Sequence, residues 1–246
     1  MKTSIKHMAQ LSALTLLAGT LAACGGSDDN NVSEVIDTAS TKLMYEVTVK
    51  NGTLGQPFSP VAIVAHGTAY SAFKIGEPAT VGLELLAEGG DNSGFIDEAK
   101  VAPSVYGTVS GTAPIGPGGS EVITLEVDSQ FLPTLQMSVV SMLVNTNDAI
   151  TALRGKDIAN FEVGDEKTVR LISYDTGTEA NTEAAGTIPG PVDGGEGFNA
   201  TRDDVNNIVT GSASVVTADD GLATSILDHT HKWDHPVMTV SVKRVQ

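Results

Sequence analysis

The chain has 246 residues, with 14 basic and 30 acidic side chains, a net charge of −16 at pH 7 and a single cysteine. This acidity argues against a nucleic-acid-binding protein, which needs clustered lysine and arginine. One cysteine excludes an intrachain disulfide, so the fold has to be stabilised by its hydrophobic core.

The first 24 residues have the pattern of a lipoprotein signal. Lys2 and Lys6 precede an apolar segment, residues 11–23, which is too short to span a bilayer as a helix. Cys24 follows Leu-Ala-Ala and so resembles the lipobox cysteine of bacterial lipoproteins, which receives diacylglycerol. We expect residues 1–23 to be a cleaved signal peptide and Cys24 to be lipidated. The alternative is an ordinary secreted protein with a stray cysteine.

Removal of the signal leaves 12 basic against 30 acidic residues, a net charge of −18. Residues 24–40 are rich in Gly, Ser, Asp and Asn, which indicates a flexible tether before one domain at residues 41–246. Anionic lipid head groups repel a domain with this negative charge. The lipid anchor therefore has to provide the contact with the membrane. We expect an exported, lipid-anchored protein of the cell envelope. The outer membrane is favoured because Gly25, not Asp, follows the cysteine.

Most of residues 41–246 have the patterns of β-strands. Apolar and polar residues alternate between residues 43 and 50, which indicates a strand with one buried face. Turns rich in Gly, Pro, Asn and Asp separate further predicted strands at 61–65, 122–127, 135–144, 169–172 and 237–245. The pattern predicts an all-β fold, an antiparallel β-sandwich.

Two short helices are predicted in the connections. Pro78 suits the first position of a helix, and Leu and Ala residues within 83–87 follow at helical spacing. Asp148 suits the N-cap of a second helix at residues 149–154, which Gly155 would end.

Five groups of motifs follow one another along residues 43–245. They are Gly-Gln-Pro-Phe-Ser-Pro at 55–60, Gly-Glu-Pro-Ala at 76–79 with Leu-Ala-Glu-Gly-Gly-Asp at 86–91, Ser-Met-Leu-Val-Asn-Thr-Asn-Asp at 141–148, Tyr-Asp-Thr-Gly-Thr-Glu-Ala-Asn at 174–181, and Trp233 with Pro-Val at 236–237. Together they resemble the spondin N-terminal domain in a bacterial, cysteine-free form. Thr-Asn-Asp followed by Tyr-Asp-Thr-Gly-Thr-Glu is the most specific pair.

The resemblance implies a β-sandwich similar to C2 domains, with a calcium ion held by loops at one end. In animals the domain occurs in matrix and adhesion proteins, which implies recognition of a protein or glycan surface partner. This chain lacks the cysteines and the thrombospondin-type repeats of those relatives. The resemblance therefore supports the fold and the metal site more strongly than it supports any binding partner known from animals.

The residues themselves are compatible with a calcium site at Asp148, Asp175 and Glu179. Calcium prefers carboxylate, carbonyl and amide oxygens. Gly177 permits a turn that brings Asp175 and Glu179 together, and Asp148 reaches the same rim if the strand ends are neighbours. In the alternative, Asp148 caps a helix, Asp175 forms an Asx-turn and Glu179 is solvated.

Four further residues are possible additions to this metal rim. They are Asn147, Asn181, Glu88 and Asp91. For Glu88 and Asp91, a solvated helix end is the competing interpretation.

His229, His231 and His235 form a second candidate site. In an extended chain His229 and His231 share a face and could hold zinc or copper with His235, as in a metal-dependent hydrolase or oxidase. The alternative is a polar loop before the last strand. The sequence has no nucleophile elbow, P-loop, dinucleotide glycine fingerprint or His-Glu-x-x-His motif. We therefore expect a binding module, not an enzyme. A structural envelope lipoprotein without a specific ligand is the third possibility.

Overall fold

The computed structural model describes residues 41–200 and 206–246. The predicted signal peptide, Cys24 and the tether lie outside the described residues, so the lipid anchor stays a prediction. Within the described ranges, no helix is long and apolar enough to cross a membrane.

Ten strands of the described chain form two antiparallel sheets. The strands are β1 (Lys42–Asn51), β2 (Ala62–His66), β3 (Val105–Ser110), β4 (Ser120–Asp128), β5 (Gln136–Met142), β6 (Ala149–Asp157), β7 (Glu166–Leu171), β8 (Ser173–Asp175), β9 (Thr210–Gly211) and β10 (Met238–Arg244). One sheet has the order β4-β1-β10-β7, and the other has the order β3-β2-β5-β6-β8-β9. The predicted all-β sandwich is confirmed.

The main hydrophobic core lies between the two sheets. Every second residue of β1 from Leu43 to Val49 is buried. Val47 is paired with Ile123 on β4 and with Val242 on β10, and both partners are also buried. Full burial of such a side chain contributes roughly 1.5–3 kcal/mol. The alternation along β1 therefore decides which face of the sheet points inward.

Two helices of the described chain, α1 (Val81–Gly89) and α2 (Ser93–Val101), cover the outer face of the six-stranded sheet. α1 begins after the predicted Pro78, because the Thr80 side chain caps it by accepting a hydrogen bond from Leu83 N. The sequence patterns do not predict α2. Both helices form a second core with residues of β2, β5 and β6, which explains why β5 is buried on both faces.

The second predicted helix is wrong, since residues 149–154 belong to strand β6. The β-branched residues Ile150 and Thr151 favour a strand, and β6 pairs with β5 on one side and β8 on the other. Gly155 does not end a helix; it lies within β6 with φ +64°, across from a register shift in β5. Asp148 is therefore not a helix cap.

Candidate functional site

The loops that follow β5 and β8 lie next to each other. β6 and β8 are antiparallel, with Ala149 opposite Asp175. The residue before β6 therefore meets the residues after β8. Asp148 and the segment 176–179 are these neighbours, so the two strand ends of the predicted site are adjacent.

A buried amide network holds the loop at residues 143–148. Gln56 Oε1 accepts a hydrogen bond from Asn145 N at 3.1 Å, and Gln56 Nε2 donates to Asn145 O at 3.1 Å. Asn145 Nδ2 donates to Gly55 O at 2.8 Å. Because Gln56 and Asn145 are buried, breaking any of these bonds would leave an unsatisfied polar group. The network fixes the backbone that leads to Asp148.

Asp148 is completely buried, with 0% of its surface exposed. Its Oδ2 accepts hydrogen bonds from Thr178 N at 2.9 Å, Thr176 Oγ1 at 3.0 Å and Glu179 N at 3.2 Å. Its Oδ1 is also buried and has no hydrogen-bond partner within the described residues. Buried polar atoms without a partner are rare and costly. Oδ1 is therefore a position where a proton or a cation would be stabilising.

The surroundings of Asp148 oppose its negative charge. Burial, followed by the neighbouring carboxylate of Asp175, raises the pKa of Asp148 to about 7. The hydrogen bonds from Glu179, Thr176 and Thr178 act in the opposite direction. Near neutral pH the group therefore either holds a proton or needs a positive charge beside it.

Asp175 is held in the turn that follows β8. Its Oδ1 accepts a hydrogen bond from Gly177 N at 2.8 Å, and its Oδ2 accepts one from Asn181 Nδ2 at 2.6 Å. Gly177 has φ +70°, and a Cβ there would lie 2.7 Å from Ile208 O, so the turn requires glycine. An Asx-turn is thus present. Each carboxylate oxygen keeps a second lone pair, so the turn does not exclude metal ligation.

Glu179 is buried and not solvated. Asn147 Nδ2 donates to Glu179 Oε1 at 3.0 Å, and Asn147 Oδ1 accepts a hydrogen bond from Glu183 N at 3.1 Å. Asn147 is itself buried. It therefore links the loop before β6 to two acidic residues of the loop after β8.

Glu183 is a candidate that the sequence patterns miss. It is 3% exposed, and its Oε1 accepts a hydrogen bond from Val216 N at 3.1 Å. Its Oε2 is buried and has no hydrogen-bond partner in the part of the chain that the structure describes. Burial raises the pKa of Glu183; the bond from Val216 opposes this, and the Asp175 carboxylate adds to it. Asp175 therefore lies within electrostatic reach of both Asp148 and Glu183.

The remaining predicted rim residues have partners of their own. Asn181 belongs to the Asp175 turn. Asp91 Oδ1 accepts a hydrogen bond from Ser93 N at 2.9 Å at the start of α2, which lowers the pKa of Asp91. Glu88 is buried at the end of α1, and its Oε2 accepts one from Asn199 N at 3.3 Å. The solvated helix end is therefore wrong for Glu88, while Asp91 is exposed.

No group of three or more His, Cys, Asp or Glu side chains within residues 41–200 and 206–246 is arranged to hold a metal ion. Calcium also accepts amide, carbonyl and water oxygens. Ligation of calcium by Asp148, Asp175 and Glu179 stays a prediction.

The histidines do not have the arrangement on which the zinc or copper site depends. Residues 229–231 form a 3-10 turn and not an extended chain, so His229 and His231 do not share a face. His231 Nδ1 accepts a hydrogen bond from Asp228 N at 3.2 Å. His229 and His235 are exposed. The extended chain that a shared face requires is therefore absent at these residues.

The fold and the loops define a class of protein: a two-sheet β-sandwich in which adjacent loops enclose buried carboxyl groups. The family model Spondin_N matches residues 50–187, more than half of the 246 residues. The chain therefore belongs to the spondin N-terminal domain family, and the resemblance in the motifs is confirmed. The matched range contains Asp148, Asp175 and Glu179 but ends before the histidines. No curated protein matches the chain.

Proposed function

We propose that this chain is an exported, lipid-anchored envelope protein whose spondin domain binds calcium. In this proposal it acts as an adhesion or recognition module for a protein or glycan, not as an enzyme. The observation that carries the proposal is Asp148 Oδ1, a buried oxygen without a hydrogen-bond partner in the described ranges. The neighbouring carboxylate of Asp175 adds to the local negative charge.

The residues around Asp148 fit calcium better than zinc or copper. Carboxylates, threonine hydroxyls and asparagine amides supply hard oxygen donors, which suit calcium. Asp148, Asp175, Glu179 and Glu183 would contribute the carboxylate ligands. A bound calcium ion would supply two positive charges where burial and repulsion now raise the pKa of Asp148 and Glu183.

The protein's own contribution is to preorganise the two loops. Gln56 and Asn145 hold the loop before β6, while Asp175 and Asn181 hold the turn after β8. Because these hydrogen bonds join protein groups to one another, they reduce the ordering that ligand binding would have to impose on the loops. The exposed parts of the same loops, such as Asn181, would present the surface that meets a partner.

The membrane anchor is proposed from the sequence around Cys24 alone. Each buried methylene of an acyl chain contributes about 0.8 kcal/mol, and stable attachment takes more than one chain. A lipid on Cys24 would therefore keep the domain attached to the membrane.

Calorimetric melting of the wild type, Asp148→Asn and Asp157→Asn, in calcium and in chelator, tests the calcium site. Asp157 lies at the other end of β6 and is exposed, with its Oδ1 accepting a hydrogen bond from Ala159 N. Its replacement by Asn removes the same charge outside the site, which makes it the matched control.

Calcium that binds only the folded state stabilises it by about 2.7 kcal/mol at one hundred times its Kd. We expect calcium to raise the melting temperature of the wild type and of Asp157→Asn, but to raise that of Asp148→Asn much less. A wild type that melts identically in calcium and in chelator would contradict the proposed site.

A further inference from the structure

A cavity of about 310 Å³ lies between α2 and the segment that leads from β2 to α1. Its lining includes four apolar side chains and two polar ones: Ala72, Phe95, Ala99, Ala102, Tyr70 and Glu98. The volume is at the lower end of the range for small-molecule sites, about 300–1,000 Å³. None of these residues takes part in the Asp148 site, so the cavity is a separate feature.

Glu98, which is exposed to solvent, contributes a carboxylate to the lining of the cavity. Its Oε1 accepts a hydrogen bond from Gly82 N at 2.7 Å, and its Oε2 accepts one from Thr80 Oγ1 at 2.6 Å. These bonds hold the carboxylate at the start of α1, and each oxygen keeps a second lone pair. Lys74 and Lys100, on the adjoining segments, form ion pairs with other carboxylates. The carboxylate of Glu98 can therefore accept a further hydrogen bond from a cationic donor.

Tyr70 adds a phenol and an aromatic face to the same cavity. Burial raises the pKa of Tyr70 to about 12, with a further contribution from the charge of Glu98. The phenol therefore stays protonated at neutral pH, and its oxygen can accept a hydrogen bond. An aromatic ring attracts a cation that lies over its face, and Tyr70 and Phe95 both line the cavity.

We propose that this cavity binds a small organic amine. Its ammonium group lies at Glu98 and Tyr70, and its hydrocarbon part packs against Phe95, Ala72 and Ala99. The charge decides the class of ligand, because Glu98 repels an anion and binds an ammonium group more strongly than a neutral hydrogen-bond donor. The site does not depend on calcium, so either proposal can fail without the other.

Titration calorimetry of the full-length chain with phenethylamine tests the assignment, with 2-phenylethanol as the neutral analogue of the same shape. A charged hydrogen bond at Glu98 predicts that the amine binds about tenfold tighter than the alcohol. Ala102→Leu fills the cavity and is expected to abolish binding. Val101→Leu is the matched control, because Val101 is 85% exposed and does not line the cavity.

Tyr70→Phe keeps the ring and removes the hydroxyl, and it is expected to weaken amine binding several-fold and alcohol binding less, because the hydrogen bond from a charged donor is the stronger one. Three results would overturn the proposal. They are no detectable binding of phenethylamine at millimolar concentration, equal affinities for the amine and the alcohol, and equal binding by Ala102→Leu and Val101→Leu.

Discussion

Burial of the Asp148 carboxyl group makes the stability of the protein depend on pH, and the variant Asp148→Asn measures this dependence. Asn keeps the size of the side chain and one oxygen acceptor, but it cannot ionise. The substitution therefore removes the titration of Asp148 while leaving the packing around the loop close to that of the wild type.

The sign and size of the effect follow from the pKa values of the two states. Asp148 has a pKa of about 7 in the folded protein, against roughly 4 in an unfolded chain. Between these values the native state binds more protons than the unfolded state. The stability from this group is therefore fully present below about pH 4 and is lost as the pH rises through 7. From pH 5 to pH 8 the loss amounts to roughly 2–3 kcal/mol.

Urea unfolding of the wild type and of Asp148→Asn in chelator, at pH 5 and at pH 8, measures this loss. Other titrating groups contribute equally to the unfolding free energies of both proteins, so their contributions cancel in the difference. We expect Asp148→Asn to gain roughly 2–3 kcal/mol relative to the wild type between the two pH values. Saturating calcium should suppress this gain, because a bound cation stabilises the carboxylate of the wild type. A difference that is the same at both pH values would refute the raised pKa and the argument from burial.

Three further experiments test the anchor, the turn and the shared site. Cys24→Ser is expected to move the protein from the membrane to the soluble fraction or to leave it unprocessed; normal processing with unchanged attachment would contradict lipidation. Gly177→Ala and Gly164→Ala both place alanine at a positive φ, but a Cβ at Gly164 meets nothing within 4 Å. In urea unfolding, the Gly164 change should cost about 1 kcal/mol and the Gly177 change clearly more; equal losses would argue against the close contact with Ile208 O. The effects of Asp148→Asn and Asp175→Asn on calcium affinity should be non-additive in the double variant, whereas strict additivity would place the two carboxylates in separate sites.

The strands with a clear period of two could be predicted from the sequence. β1 alternates because one of its faces covers the core, and its partners β4 and β10 bury the opposing residues. β6 could not be predicted in the same way. Its sequence, Ala-Ile-Thr-Ala-Leu-Arg, mixes good helix formers with the β-branched Ile150 and Thr151. Pairing with β5 and β8 then decides in favour of a strand. α2 has a similar origin, because its apolar residues find their partners on the outer face of the sheet.

The candidate site could be predicted only in part. Asp148, Asp175 and Glu179 stand out in the sequence because they flank a strand end and a Thr-Gly-Thr turn. The structure brings the backbone N–H of Glu179 and the charge of Asp175 close to Asp148, but within the described residues it does not arrange the three carboxylates as a metal site. Glu183 could not be recognised, since its contacts with Asn147 and Val216 join residues more than 30 positions apart. The conformation of residues 229–231 could not be predicted either. Capping contacts between Asp228 and His231 hold these residues in a 3-10 turn, whereas the zinc or copper site required an extended chain.

A crystal structure of the protein grown in calcium tests the central claim most directly. We predict an ion bonded to Asp148 Oδ1 at about 2.3–2.6 Å, the usual calcium–oxygen distance. Oxygen atoms from the loop after β8 should complete its shell. Well-ordered loops with no ion at Asp148 Oδ1, in crystals saturated with calcium, would contradict the proposed calcium site.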